Sequence, residues 1–225
     1  MDLDGQGEIK QLVERLGREG VVAIPQAGRS AKPRRSGITM VIDKGLGLNQ
    51  LVDLLDVAGA YIDFLKIAFG SALLYPADTL QHKIRVARSY AIDVYPGGTL
   101  TEIAAWQQRL PEYLEALQRF GFTAVEVSEG TIELEPARRR ELIGRARDAG
   151  LRVLAEVGKK QAGYRFQPRE VVEQVHADLE AGAEKVILEG RDSGRDVGLY
   201  DGDGRLVEDL FGQLSAALPG EAVIW

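Results

Sequence analysis

The sequence contains no cysteine and only two histidines, His82 and His176. Disulfides, thiol nucleophiles and zinc–thiolate sites are therefore excluded, and acid–base chemistry falls to lysine, glutamate and aspartate. A chain without disulfides suits the cytoplasm, where this protein is expected to reside. No apolar run approaches the ~18 residues that a membrane helix needs, and no charged-then-apolar leader opens the chain, so no membrane partner is expected. Excess positive charge is missing too: 28 Lys and Arg against 34 Asp and Glu leave a net charge of −6. Nucleic acid is not an expected partner, because counterion release needs a basic face. What is present is 225 residues, 45% hydrophobic and 28% charged, the composition of one sizeable globular domain.

Short β-rich runs alternate with longer amphipathic stretches. The runs begin near Gly37, Tyr61, Ala91, Thr123, Leu151, Glu184 and Glu221, at intervals of 24 to 37 residues, about one βα unit each. Six of the seven are mostly continuous Val/Ile/Leu-rich segments, as parallel strands covered on both faces require. Pro136 and Pro168 stand where a first helical residue belongs, and Gly150 and Gly182 where a helix ends. Pro111 divides the stretch from Thr101 to Phe120 into two helical pieces. Val171, Val175 and Leu179 share one helical face, with Glu173, Asp178 and Glu180 turned away from it. His82 and His176 fall mid-helix and are read as structural.

The pattern predicts an α/β fold with a parallel sheet, either closed as a (β/α)8 barrel or open and doubly wound. Residues 1–36 are assigned to an N-terminal extension, with one helix from Glu8 to Arg18 and a loop, and residues 37–225 to the sheet domain. A barrel needs eight units and seven strands can be counted. The sequence stops inside the apolar run Val223-Ile224-Trp225, so the C-terminal eighth unit is expected to be lacking.

Parallel α/β folds place their chemistry at the carboxyl ends of the strands. Those ends supply Asp43 and Lys44, then Asp63 and Lys66, then Pro96-Gly97-Gly98-Thr99. Further along come Glu126 and Ser128, Glu156 with Lys159 and Lys160, and finally Glu189 and Arg191. Glu126, Glu156 and Glu189 each follow three small or apolar residues, which sets them at matching depth on consecutive strands. Three converging carboxylates repel one another unless a divalent cation or ammonium groups lie between them, and oxygen-only ligands favour Mg2+. The competing reading is a set of structural ion pairs. Lys44, Lys66 and Lys160 at one rim can bind an anionic substrate, and one can donate a proton. Gly97 and Gly98 precede a helix as an anion-cradling turn does, although Thr99 and Glu102, spaced as a capping box, account for the motif equally well. Arg29, Lys32, Arg34 and Arg35 read as a solvated basic loop able to close over an anion, and Arg138-Arg139-Arg140 as a solvated helix face.

These residues together resemble the phosphosulfolactate synthase family. The matching segments are Lys32–Gly47 (KPRRSGITMVIDKGLG), Ala58–Ala72 (AGAYIDFLKIAFGSA), Val94–Leu100 (VYPGGTL), Gly121–Ile132 (GFTAVEVSEGTI), Ala155–Lys160 (AEVGKK) and Asp178–Gly194 (DLEAGAEKVILEGRDSG). The resemblance implies a (β/α)8 barrel enzyme, a lyase that adds sulfite to phosphoenolpyruvate with Mg2+, the opening step of a route to coenzyme M. It implies Mg2+ held by Glu126, Glu156 and Glu189, and Lys160 as general acid with Lys159 beside it. Lys44, Lys66 and Arg191 would bind phosphate, carboxylate or sulfite, near Gly97, Gly98 and Ser128. A homo-oligomer is expected. Gly70-Ser71-Ala72 replaces the family's Gly-Thr-Ser, and Ser128-Glu129-Gly130 its Ser-Asp-Gly. The family's Glu-Ala-Pro after strand seven and its Asn-Leu-Gly-Asn strand have no counterpart in this sequence. Two other functions are carried forward: a Schiff-base aldolase using Lys66 or Lys160, and a non-catalytic stress-associated paralogue on the same fold.

Overall fold

Seven strands form where the apolar runs predict them. In the computed structural model, which describes residues 30–225 apart from 162 and 192, they are β1 (Met40–Asp43), β2 (Phe64–Ile67), β3 (Asp93–Pro96), β4 (Ala124–Val127), β5 (Arg152–Val157), β6 (Lys185–Leu188) and β7 (Val223–Ile224). The expected helix Glu8–Arg18 and Arg29 lie outside the described residues. Every pairing is parallel and sequential, β1-β2-β3 in one ladder and β4-β5-β6-β7 in the other. The ladders meet at Thr123, whose amide donates to the Val94 carbonyl at 3.1 Å while its hydroxyl accepts from the Val94 amide at 3.0 Å. Among the described residues, β7 pairs with β6 alone.

The connections are helical: α1 (Leu48–Ala58), α2 (Phe69–Leu74), α3 (Ala77–Ser89), α4 (Thr99–Trp106), α5 (Leu110–Phe120), α6 (Pro136–Asp148), α7 (Pro168–Ala181) and α8 (Glu208–Ala217). Pro136 and Pro168 open α6 and α7, where a missing amide costs nothing. Pro111 lies in the first turn of α5, and the chain breaks from α4 just before it. Helix α7 ends at Gly182 with φ 114°, a left-handed conformation that residues with a Cβ rarely adopt.

Strand alternation divides the apolar side chains into two layers. Outward residues such as Leu65, Val94, Val125, Val153 and Val186 pack with Leu51, Ile84, Leu142 and Val175 of the helices. Inward residues form a second cluster of Phe64, Tyr95, Ala124, Leu154, Ile187 and Ile224, with Ile38 and Met40 against it. That cluster draws on the chain around all seven strands, so the sheet curls about a filled interior, as a (β/α) barrel does. The continuous apolar runs of the sequence thus reflect two buried faces.

Four readings of charged residues are corrected by this packing. Arg139 is no part of a solvated face: it lies on the same side of α6 as Leu142, Ile143 and Ala146, and is buried. Its guanidinium binds both Asp178 oxygens at 2.7 and 2.6 Å and the Glu156 carbonyl at 2.9 Å. Asp178 is therefore turned toward the buried side of α7, in step with Val171 and Val175. In the basic loop, Arg34 is buried against Asp63 at 2.7 Å, and Lys32 donates to the Tyr90 and Ala91 carbonyls. Asp63 itself precedes β2 and so stands at the amino end of the strands, opposite the functional rim.

Candidate active site

The inward face changes from apolar to charged two residues further along four strands. Phe64 gives way to Lys66, Ala124 to Glu126, Leu154 to Glu156 and Ile187 to Glu189. The period-two pleat sets these four side chains on top of the apolar layer, at the carboxyl ends. Lys66 is the hub. Its ammonium lies 2.8 Å from Glu126 Oε1 and 3.1 Å from Glu156 Oε2, and both glutamates are buried. Lys160 Nζ approaches Glu156 Oε1 to 3.5 Å from the other side and lies 3.3 Å from Thr99 Oγ1.

Burial and charge set the protonation of this cluster. Burial would lower the Lys66 pKa, but Glu126 and Glu156 outweigh it and hold the group above its ordinary value, so it stays an ammonium. Burial would raise Glu156, yet Lys66 and Lys160 hold it below the usual carboxylate value. Glu126 is pushed up to about 7 by burial, against the pull of Lys66. Glu189 is also pushed up to about 7, by burial and by the neighbouring Glu156. Tyr95, buried beneath them, is raised well above its ordinary value by burial and by the same carboxylates.

A cavity of about 520 Å³ opens above this layer. Of the residues read from the sequence, Lys44, Lys66, Lys160, Arg191, Glu156 and Glu189 line it. Arg191 holds a left-handed backbone with φ 51°, and its amide donates to Glu189 Oε1. A strained residue held this way at a cavity is characteristic of a functional site. The remaining residues support the wall. The Gly98 amide donates to Glu126 Oε1 at 2.8 Å, and Gly97 packs its backbone against the Lys66 stem, where a Cβ would lie 3.4 Å from Cε. The Ser128 hydroxyl donates to Glu102. Lys159 is outside the cavity lining, with its ammonium 3.2 Å from Glu129 Oε1.

Several contributors were missed in reading the sequence. Tyr200, Ser193 and Gly194 line the cavity from the segment after β6, and Ile42 and Trp225 from β1 and the residue following β7. Of these, Ile42 was legible: it lies two residues beyond Met40 on the inward face of β1. Glu102 is not a cap but a fully buried carboxylate that receives four hydrogen bonds from the loop after β4.

Hard oxygen donors suit Mg2+. Glu126 Oε2 and Glu156 Oε1 are buried without a hydrogen-bond partner, as oxygens that face a cation would be. Among the described residues, however, no three acidic side chains surround a common point. The Lys66 ammonium takes the place between Glu126 and Glu156 instead. The donor chemistry fits, and joint coordination by all three requires the carboxylates to turn.

The similarity to known proteins extends over most of the chain. A phosphosulfolactate synthase of Methanothermobacter thermautotrophicus is 42% identical over 199 residues, covering 88% of this chain and 77% of that protein. One from Methanocaldococcus jannaschii is 40% identical over 175 residues, covering 77% and 70%. Among solved structures, the YdjI aldolase of Escherichia coli K12 superposes with a TM-score of 0.54 at 13% identity, over 82% of this chain and 64% of that one, a likeness of fold alone. Residues 27–225 match the model of the (2R)-phospho-3-sulfolactate synthase family. With charged side chains set on a barrel floor and relatives this similar over most of its length, the chain belongs to the (2R)-phospho-3-sulfolactate synthase family.

Proposed function

We propose that this chain is a lyase that joins sulfite to phosphoenolpyruvate, giving (2R)-phospho-3-sulfolactate. The observation that carries the reading is the cavity itself, where Lys44, Lys66, Lys160 and Arg191 gather around a space suited to small, multiply charged anions. In the reaction, the sulfur lone pair of sulfite forms a bond to C3. The C2–C3 π electrons move toward C2 and the carboxylate, and C2 then takes a proton. Lys160 delivers that proton, and Glu156, held ionised, keeps the ammonium turned toward the cavity. Lys66 and Arg191 balance the substrate charge, and Lys66 stays protonated throughout because two carboxylates flank it. Mg2+, bound by Glu126, Glu156 and Glu189, would supply Lewis-acid stabilisation of the charge gathering on the substrate carboxylate. The same reading takes in a cytoplasmic, homo-oligomeric enzyme, for which the exposed Leu73, Leu74 and Trp106 offer apolar contact surface.

The aldolase reading meets an obstacle at Lys66. A Schiff base needs a neutral amine, and this amine is buried between two carboxylates that hold its proton. Phosphorus NMR of the protein with phosphoenolpyruvate, sulfite and Mg2+ tests the main reading. Sulfite-dependent conversion of phosphoenolpyruvate to a new phosphate ester is expected, and Lys160→Ala should slow it by about 10²-fold or more while sparing phosphoenolpyruvate affinity. Full turnover in Lys160→Ala would remove the proton-donor assignment. Absence of any sulfite-dependent product would instead favour the non-catalytic paralogue. Calorimetry tests the metal: Glu→Gln at 126, 156 or 189 should weaken Mg2+ binding, and unchanged affinity in all three would end that part of the proposal.

A further inference from the structure

Helix α4 bears on Lys160 twice. Thr99, its first residue, offers Oγ1 at 3.3 Å from Lys160 Nζ. Glu102, one turn later, is fully buried, and the bonds it receives come from the loop that follows β4. Its Oε1 accepts from the Ser128 hydroxyl and from the Gly130 amide at 3.2 Å. Its Oε2 accepts from the amides of Thr131 at 2.9 Å and Ile132 at 2.6 Å. A carboxylate ringed by three amides and a hydroxyl fixes the path of that loop, since every one of those donors would lose its acceptor if the loop shifted.

The pinned loop in turn touches the lysine. A Cβ built on Gly130 would lie 3.0 Å from Lys160 Cε, 3.1 Å from Cδ and 3.2 Å from Cγ. The Lys160 stem thus runs across the face of Gly130 where a side chain would stand, and a Cβ there would force the stem to shift by a few tenths of an ångström. Head and stem of the lysine are fixed by neighbouring residues of one helix turn: directly at the ammonium by Thr99, and through the loop by Glu102.

We propose that Glu102 is the positioning residue for Lys160: by holding Gly130 against the lysine stem, it sets where the ammonium stands between Thr99 and Glu156. The inference rests on the reading of Lys160 as proton donor only for its effect on turnover; the positioning itself is independent of it. Glu102 keeps its distance from the reacting atoms and acts through the loop.

The test is competitive acetylation of the lysines with acetic anhydride, read residue by residue by mass spectrometry, in wild type, Glu102→Gln and Gly130→Ala. Lys32, partly exposed at the opposite end of the barrel, is the internal reference. Glu102→Gln puts an amide group where amides donate, and Gly130→Ala pushes on the stem with Glu102 intact. Both should change the Lys160 labelling rate by about threefold or more relative to Lys32, and both should lower kcat by on the order of tenfold with little change in KM for phosphoenolpyruvate. Gly130→Ala guards against Glu102→Gln failing to fold. Unchanged Lys160 labelling in the folded variants would overturn the proposal. Altered labelling with undiminished turnover would uphold the positioning and overturn the proton-donor role. Altered labelling in a protein with no synthase activity would uphold the positioning and count against the proposed function.

Discussion

The two ends of the barrel carry the same kinds of charge and treat them in opposite ways. At the amino end, Arg34 closes on Asp63, Arg152 joins Asp93 and Glu184, and Lys185 spends its donors on the Arg35 and Glu221 carbonyls. Every one of those cations is fully answered within the protein, Arg152 by two carboxylates. At the carboxyl end, Lys66 is shared by Glu126 and Glu156, Glu156 is shared by Lys66 and Lys160, and one oxygen of each of these two glutamates is buried without a hydrogen bond. Closed pairs hold a fold together. Shared ones keep charge available to a ligand, at a cost in stability.

The largest effect that would sharpen this contrast is expected from Lys66→Met, which strands two buried carboxylates. It should cost about 3–5 kcal/mol at pH 8 by denaturant unfolding and lower turnover by about 10²-fold or more. A variant as stable and active as wild type would erase the distinction between the two ends. Arg34→Met, which breaks a closed pair, should cost about 3 kcal/mol and leave kcat and KM of the folded protein unchanged. A changed KM there would mean that the amino end communicates with the site.

The pH dependence follows from the shared charges. Glu126 and Glu189 titrate near 7 in the folded protein, above the ordinary carboxyl value of 4.5. Between those values the folded state retains protons that the unfolded chain has released, so their contribution to stability falls as pH rises from about 4.5 to 7. Glu156 has the opposite sign: its contribution is present above 4.5 and is lost as pH falls through its depressed pKa. In EDTA, Glu126→Gln or Glu189→Gln should flatten the decline between pH 4.5 and 7 in thermal melts, and an unaltered slope would contradict the assignment. The smallest effect is expected from Lys159→Ala. Its partly exposed pair with Glu129 should be worth no more than ~1 kcal/mol, and turnover should suffer far less than in Lys160→Ala.

All seven strands were legible in the sequence, because a strand covered on both faces must be apolar throughout its length. So were Glu126, Glu156, Glu189, Lys66 and Lys160 as one neighbourhood, because a strand's end points into the rim whatever its neighbours are. Partners across long separations were not. Arg139 and Asp178 are 39 residues apart, and their type marks them as surface residues. A signal was nonetheless present in their spacing: Arg139 keeps helical step with Leu142, Ile143 and Ala146, and Asp178 with Val171 and Val175. Glu102 shows the opposite failure. A local motif, the capping box, gave a sufficient explanation, whereas its actual partners are a loop about 28 residues away. Asp63 was placed at the wrong end because the apolar run Tyr61–Ala68 is longer than the strand within it.

The stacking of one charged layer on one apolar layer also bears on how such a molecule can change over generations. Phe64, Ala124, Leu154 and Ile187 make the floor, and the residue two positions on from each makes the chemistry. Because the pleat separates the two by a full residue repeat, exchanges at 66, 126, 156 and 189 alter the reagents without opening a hole beneath them. The floor, by contrast, sets the height at which every reagent stands. Enlarging Ala124 would lift the charged layer as a whole and spoil several roles at once. The upper storey is therefore where new reactions can be tried one residue at a time, and the lower storey is what makes each trial survivable.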